Sequence, residues 1–431
     1  MRFTSSLLAS TLAVGASASG NYLGFNSGAT FADRSAKFKA DFEAEFKTAQ
    51  NLAGSPGTFN TVRLYTNIQA YSQDDPIEAF EAAIDTKTSI LLGVWTSGVD
   101  NIDKELSALK KAVAKYGDKF IDLVIGISIG SEDLYRNSVT GVKNKSGVGN
   151  SPEAIAGFIS DFKKTFSGNA LGKVPVGHVD TWDVWGNATN KAVLDAVDWV
   201  GVDEYPYYEN GKGNNIKNAG HLFDKAYEET KKAVGGKPVW VTETGWPYTG
   251  PDWDEAVASV ENAKFYWDEI GCRKLFNKTP TFWYTLRDSN PDNKMKFAIT
   301  DNLSTTPRFN LTCPTKFVTD DEVDSSTATA SHTGTQTHVA APTGTGAHSS
   351  PSSSPSSGSG SSGSSSSGSG SSGSSSGSGS GSGSNPGSSG SNSGSNAGSG
   401  SSTTTSGASM QKVTSVTLVG VALFAGVLAL F

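Results

Sequence analysis

Histidine and cysteine are scarce in this chain, which narrows the chemistry that it can carry. There are five histidines and two cysteines among 431 residues, and His332, His338 and His348 lie in a C-terminal stretch of small polar residues. A metal centre or a Ser-His-Asp triad would depend on His178, since His221 opens a predicted helix. We therefore expect no metal site and no cofactor.

Runs of basic residues are also lacking. The chain has 35 lysines and arginines against 42 acidic residues, a formal net charge of -7. Proteins that bind nucleic acid concentrate positive charge on one surface. The composition therefore argues against nucleic acid as a partner.

Long apolar runs are confined to the ends of the chain. At the N-terminus, basic Arg2 precedes a short apolar run at residues 7–14 and the small residues Ala16, Ser17 and Ala18. A membrane-spanning helix needs about twenty apolar residues. We therefore predict a secretory signal peptide, residues 1–18, that is cut after Ala18.

The C-terminal region changes composition abruptly. Residues 318–396 are dominated by Ser, Thr and Gly and lack the side chains of a core, which predicts a flexible linker. The apolar run from Val416 has no basic residues after it, and this pattern is typical of a GPI-attachment signal. We predict that residues 397–431 are removed and that the anchor joins Asn396. Gly400 would give a more usual spacer, and a retained tail anchor is the alternative.

Secretion would also expose the chain to glycosylation and to oxidation. Asn-x-Ser/Thr sequences, which predict N-glycosylation, begin at Asn144, Asn187, Asn277, Asn302 and Asn310. In an oxidising compartment we expect a disulfide between Cys272 and Cys313, with two buried thiols as the alternative.

Between these ends, short apolar runs alternate with amphipathic stretches. Eight strand candidates occur at residues 22–25, 61–65, 90–95, 123–129, 174–179, 199–202, 239–242 and 281–284. Strands that alternate with helices form parallel βαβ units, and eight units predict an α/β fold, a (β/α)₈ TIM barrel over residues 19–317. An open doubly wound sheet is the alternative, but no glycine-rich phosphate loop supports it. The stretch "TDNLSTTPRFNLTCP", where the eighth helix would lie, has no clear helical period.

Carboxylates follow two of the predicted strands. The fourth strand ends in "GISIGSEDLYR" and the seventh in "VWVTETGWP", which places Glu132 and Glu243 at the end of a barrel that carries active sites. One acidic residue there could merely cap a helix or join an ion pair. Two carboxylates across a cleft with aromatic walls are what cleavage of a glycosidic bond requires. Further side chains expected to contact a sugar are Arg63, Tyr65, Tyr205, Trp246 and Trp283, although Trp246 could belong to the core.

Five motifs resemble the family 17 glycoside hydrolases, in particular the fungal GPI-anchored members that act on β-1,3-glucan. These motifs are "YLGFNSG", "VRLYT", "IGSED", "VGVDEYPYY" and "VTETGWP". The resemblance implies a retaining mechanism with Glu243 as nucleophile and Glu132 as proton donor and acid/base. Many related barrels carry Asn before the acid/base, where this chain has Ser131, a further substrate-binding candidate.

The resemblance implies an endo-acting hydrolase of 1,3-β-D-glucan, held at the cell membrane by a GPI anchor and remodelling the cell wall. We expect it to be a monomer. A glucanosyltransferase that uses the same covalent intermediate is the nearest alternative. A non-catalytic glucan-binding wall protein is an alternative of another class.

Overall fold

Eight parallel strands form a closed barrel in a computed structural model that describes residues 21–317. The predicted signal peptide, linker and GPI segment, with Asn396, lie outside the described residues. Each strand pairs with the next along the chain, and the last pairs with the first. The strands are β1 Leu23–Ser27, β2 Thr61–Leu64, β3 Ser89–Val94, β4 Val124–Ser131, β5 Val176–Thr181, β6 Trp199–Asp203, β7 Val239–Thr244 and β8 Thr281–Trp283. The predicted TIM barrel is confirmed.

Helices surround the barrel. The α-helices are α1 Lys39–Gln50, α2 Ala79–Thr86, α3 Asp103–Tyr116, α4 Asp118–Ile121, α5 Asp133–Arg136, α6 Val139–Lys143, α7 Pro152–Thr165, α8 Lys191–Ala196, α9 Ala219–Ala233 and α10 Val260–Tyr266. A π-helix, Trp267–Leu275, continues α10, and short 3₁₀ turns lie at Ala170–Lys173, Trp182–Val184, Ala188–Asn190, Pro206–Tyr208 and Ile216–Asn218. Within residues 21–317, the helices are too short or too polar to cross a bilayer.

Large apolar side chains fill the interior of the barrel below the carboxyl-terminal ends of the strands. Leu91, Val179, Trp199, Trp240 and Phe282 come from five strands and form one buried cluster, in which the Trp199 and Trp240 rings stack at 4.3 Å between centroids. Gly177 makes room for this cluster, since a Cβ there would lie 2.3 Å from the Trp199 ring. The interior is therefore a packed support for the strand ends above it.

An irregular segment follows β8, and the described residues after this strand contain no helix. The buried Leu311 accepts a hydrogen bond at its carbonyl from Trp267 Nε1 at 3.0 Å, and Thr48 Oγ1 donates to the Leu303 carbonyl at 3.0 Å. The disulfide Cys272–Cys313 joins the π-helix to the same segment. The segment therefore covers the outer layer between α1 and the π-helix, where an eighth helix would otherwise pack.

The five predicted glycosylation sites differ in exposure. Asn187, Asn277, Asn302 and Asn310 are exposed, whereas Asn144 is half-buried. The Asn144 side-chain amide donates to the Tyr135 hydroxyl at 3.1 Å. A glycan on Asn144 would be attached to the nitrogen that makes this contact, and occupancy of the five sites stays a prediction.

Candidate active site

Both predicted carboxylates line one cavity at the carboxyl-terminal ends of the strands. Its empty volume is about 460 Å³, including the part open to solvent. The lining residues are Tyr65, Trp95, Ser131, Glu132, Arg136, Tyr205, Tyr208, Glu243, Tyr284, Asn293 and Phe297. Four predicted side chains therefore join the two carboxylates: Tyr65, Ser131 and Tyr205 in the wall, and Arg63 through its contacts.

Three donors hold the carboxylate of Glu243 at the end of β7. Arg63 Nη1 and the Tyr65 hydroxyl each donate to Oε1 at 2.6 Å, and the Tyr205 hydroxyl donates to Oε2 at 2.8 Å. Glu243 is 7% exposed, and a buried carboxylate is costly unless it is paired and hydrogen-bonded. The donors fix the orientation of both oxygens.

Arg63 extends this network across the barrel. Its Nη1 also donates to Asn26 Oδ1 at 2.9 Å, and its Nη2 donates to Ser131 Oγ at 3.0 Å. The Asn26 amide in turn donates to the Thr242 carbonyl at 3.1 Å. One buried guanidinium thus ties together β1, β2, β4 and β7.

Glu132 lies in an unusual backbone conformation directly after β4. Its φ is 58° and its ψ is 23°, the left-handed region that few residues other than glycine adopt. Its amide donates to the Val179 carbonyl at 2.9 Å, and Asp133 accepts a hydrogen bond from the Ser131 amide at 3.0 Å. These bonds hold the turn that directs the Glu132 side chain into the cavity.

The surroundings of Glu132 favour a proton on its carboxyl group. Burial, opposed by Arg136 and reinforced by the negative charges of Glu243 and Asp180, raises the pKa of Glu132 to about 7. Arg136 Nη2 donates to Glu132 Oε2 at 2.7 Å. A carboxyl group with this pKa can both give and take a proton near neutral pH.

Close contacts explain the glycine that lies two residues from each carboxylate. Gly130 has a φ of 89°, and a Cβ there would lie 2.7 Å from Asp133 Oδ2. A Cβ on Gly245 would lie 2.2 Å from the Tyr284 carbonyl oxygen. Any larger residue would displace the turn that carries the neighbouring carboxylate.

Residues 27–300 match the BtgE/BtgC glycoside hydrolase domain. The chain belongs to this family. The match confirms the resemblance to family 17 glycoside hydrolases that the strand-end motifs indicate.

Similar fungal sequences extend over most of this hydrolase domain. A probable glucan endo-1,3-beta-glucosidase of Aspergillus niger is 51% identical over 294 residues, which are 68% of this chain and 63% of that protein. One from Aspergillus fumigatus is 50% identical over 315 residues, 73% of this chain and 70% of that protein. The chain therefore spans somewhat under two thirds of the first of these relatives.

Solved structures share the fold at low sequence identity. A family 17 β-1,3-glucanosyltransferase from Rhizomucor miehei is 23% identical with a TM-score of 0.52, and the match covers 67% of this chain and 98% of that one. An endo-laminarinase from Formosa Hel1_33_131 is 15% identical with a TM-score of 0.51, covering 65% and 83%. These likenesses agree with the barrel of the hydrolase domain.

Two predicted substrate-binding tryptophans lie in the core of the hydrolase domain instead. Trp246 is 2% exposed, and its indole nitrogen donates to the Val257 carbonyl at 3.0 Å. Trp283 is also 2% exposed and packs edge-on against Trp267 at 4.9 Å between centroids. Neither Trp246 nor Trp283 is among the residues that line the cavity, and binding of substrate by these two rings stays a prediction. The next residue along, Tyr284, lines the cavity in place of Trp283.

Six residues that line the cavity are not among the side chains predicted to contact substrate: Trp95, Arg136, Tyr208, Tyr284, Asn293 and Phe297. Arg136 lies four residues after Glu132, a spacing at which helical side chains meet, so the sequence carried a usable signal. Tyr208 lies in the aromatic run that follows Tyr205. Asn293 and Phe297 come from the irregular segment after β8, where no periodic pattern points to a site.

His178 has a structural position beneath the site. One ring nitrogen is 2.6 Å from the Ile129 carbonyl, and the other is 3.0 Å from Asp180 Oδ2. Asp180 also accepts from the Leu134 amide at 2.8 Å, which holds the start of α5. In the described part of the chain, no cluster of His, Cys, Asp and Glu could hold a metal ion.

The buried Arg63 contact predicts a measurable coupling in stability. Arg63→Met would leave Glu243 buried without its cation and should lower the free energy of unfolding by about 3 kcal/mol or more. Glu243→Gln in that background should restore part of the loss, and denaturant unfolding of the four proteins in this double-mutant cycle measures the coupling. Strictly additive effects of the two substitutions would contradict the proposed dependence.

Proposed function

We propose that this chain is a retaining hydrolase that cleaves 1,3-β-D-glucosidic linkages within 1,3-β-D-glucan. The observation that carries the proposal is the unequal environment of two carboxylates in one cavity. Glu243 accepts three hydrogen bonds, whereas burial and the charge of Glu243 raise the pKa of Glu132 to about 7. A retaining glycosidase needs one ionised nucleophile and one proton donor.

The proposed reaction has two displacements. In the first, a Glu243 oxygen bonds to the anomeric carbon while the glycosidic bond breaks and Glu132 gives its proton to the leaving oxygen. In the second, water attacks the anomeric carbon, its proton passes to Glu132, and the bond to Glu243 breaks. The carboxylates thereby regain their initial protonation states, and the product keeps the configuration of the substrate.

The names of relatives support β-1,3-glucan as the substrate. The Aspergillus niger and Aspergillus fumigatus relatives are named as probable glucan endo-1,3-beta-glucosidases. An active-site mutant of the Rhizomucor miehei β-1,3-glucanosyltransferase was solved in complex with laminaritriose. Both observations concern those proteins, and they favour the same class of polysaccharide for this chain.

A groove beside the cavity supports cleavage within the polymer. Trp95 lines the cavity and also a groove of about 1380 Å³ of empty volume, again including open solvent. The groove continues past Val99 to Tyr71, whose side chain is 63% exposed. Aromatic faces and an open path beyond the cavity give further sugar units a place to bind, as an endo-acting enzyme requires.

The linkage specificity can be tested on defined oligosaccharides. The protein should cleave β-1,3-linked glucan internally and leave β-1,4-linked glucan intact, as the names of the two Aspergillus relatives lead us to expect. Chromatography of the products identifies their lengths, and Glu243→Gln serves as the inactive control. Products longer than the substrate would instead support the glucanosyltransferase, and a bound but uncleaved glucan would support the binding protein.

The roles of the two carboxylates can be separated by chemical rescue. Glu243→Ala should abolish turnover, and azide should restore activity with an inverted glycosyl product, because azide then replaces the nucleophile. Glu132→Ala should spare aryl glycosides with good leaving groups, and azide should give product of retained configuration. NMR of the anomeric products distinguishes these outcomes. Exchanged stereochemistry would show that the roles assigned to β4 and β7 are reversed.

We also propose that the protein is secreted and held at the cell membrane and wall by a GPI anchor. The small residues near Asn396 and the apolar run from Val416 support this proposal. Phospholipase treatment of membranes should release the protein, and its mass spectrum should lack both the signal peptide and the "GVLALF" end. An intact "GVLALF" end in the mature protein would contradict anchoring.

A further inference from the structure

Arg136 forms an ion pair with the residue that the proposed function assigns as the proton donor. Its Nη2 lies 2.7 Å from Glu132 Oε2, and the two side chains are 5% and 8% exposed. A cation at this distance stabilises the carboxylate and so opposes the protonated state that the first displacement needs. The ion pair therefore favours the ionised form of Glu132, which the first displacement does not use.

The guanidinium of Arg136 is held by groups other than Glu132. Its Nη1 donates to Ser97 Oγ at 2.8 Å and also to the Ser131 carbonyl oxygen. Its central carbon lies 5.6 Å from the centroid of the Trp95 ring. Arg136 therefore stays in place whether or not Glu132 is charged, and it gives the Glu132 carboxylate a fixed partner.

Several charged and titratable groups surround the Glu132 carboxyl group. Burial is the main influence that raises its pKa to about 7, and Arg136 is the main influence against it. The groups that interact with it are Arg136 and Tyr135 from α5, Arg63 from β2, Asp180 from β5, Asp203 from β6, Tyr208 from the 3₁₀ turn after β6, and Glu243 from β7. Of the two arginines, Arg63 is hydrogen-bonded to Glu243, so Arg136 is the one bonded to Glu132.

The balance of charge around Glu132 changes during the reaction. In the free enzyme the negative charge of Glu243 opposes ionisation of Glu132, so Glu132 holds a proton to give away. Once Glu243 is bonded to the sugar its charge is gone, while the charge of Arg136 is unchanged. The Glu132 carboxylate is then favoured, which is the state that must accept a proton from the incoming water.

We propose that Arg136 is a positioning residue for Glu132, which stabilises and orients its carboxylate as the base of the second displacement. This inference rests on the proposed function. In that step the water oxygen bonds to the anomeric carbon, the water proton passes to Glu132, and the electron pair of the breaking bond returns to Glu243. Arg136 transfers no proton, and it acts on this step only through Glu132.

Arg136→Gln tests the proposal through two readouts that a general structural defect would not produce. On an unactivated laminari-oligosaccharide, the alkaline limb of kcat/KM follows loss of the Glu132 proton. Removing the cation raises the pKa of Glu132, so this limb should move upward from about 7, by roughly one pH unit or more. On an aryl glycoside with a good leaving group, kcat should fall about tenfold while kcat/KM changes less than about threefold, since only the second displacement needs Glu132.

Two control variants isolate the contribution of this ion pair. Arg273→Gln breaks another arginine–glutamate pair of the same helical spacing, Arg273 Nε to Glu269 Oε1 at 2.6 Å, and should change neither readout. Arg136→Lys keeps the charge but loses the planar guanidinium, and should restore the position of the alkaline limb better than the rate. If Arg136→Gln fails to fold, Arg136→Lys tests the orienting role alone: kcat on the aryl glycoside should fall, while the alkaline limb and a ¹³C NMR titration of Glu132 should stay near those of the wild type. An unchanged kcat in Arg136→Lys would then overturn that role.

An unshifted alkaline limb in Arg136→Gln, or a parallel fall of kcat and kcat/KM on the aryl glycoside, would overturn the role of Arg136. Turnover of β-1,3-glucan by the wild-type protein distinguishes this outcome from a failure of the proposed function. Absence of wild-type turnover on β-1,3-glucan would overturn the function, whereas wild-type turnover with an unshifted limb would overturn only the positioning role.

Discussion

The contact between Arg63 and Glu243 organises the catalytic end of the barrel. The two side chains meet at 2.6 Å in a buried environment, and Arg63 also bonds Asn26 and Ser131. A buried ion is costly unless its partners are complete. The carboxylate proposed as nucleophile is therefore also the counter-ion of the residue that ties four strands together, so the chemistry and the stability of this end depend on the same pair.

The turn after β4 places the acid/base residue near this ion pair, and it does so with an unfavourable backbone conformation. Glu132 has a left-handed backbone, and Gly130 has a positive φ with no room for a Cβ. Such conformations persist where surrounding bonds over-determine them. Asp133 supplies those bonds, since it accepts hydrogen bonds from the Ser131 amide, Thr96 and Ser97. The motif "IGSED" is thus a structural unit whose outer residues hold Glu132 in place.

The barrel and both carboxylates were predictable because short apolar runs and strand-end motifs are local features of the sequence. The predicted β1, β4, β5 and β7 each stop two residues early, since their last residues are polar and resemble a loop. Which side chains face the cavity was less predictable. Trp283 and Tyr284 are adjacent, and only the register of β8 decides that the tyrosine lines the cavity. That register depends on pairing with distant strands, which no local pattern encodes.

In the part of the chain that the structure describes, an irregular segment and no helix follows β8, and this segment affects the site itself. A helix directly after β8 would lead the chain away from the cavity, whereas the irregular segment returns across it and is held by two backbone amides, those of Phe297 and Ala298, that donate to Asp288. The Phe297 ring then packs edge-on against Tyr205 at 5.8 Å between centroids. Because the Tyr205 hydroxyl donates to Glu243, the segment supports the orientation of the proposed nucleophile through this ring. The irregular segment after β8 is therefore part of the architecture that the carboxylates require.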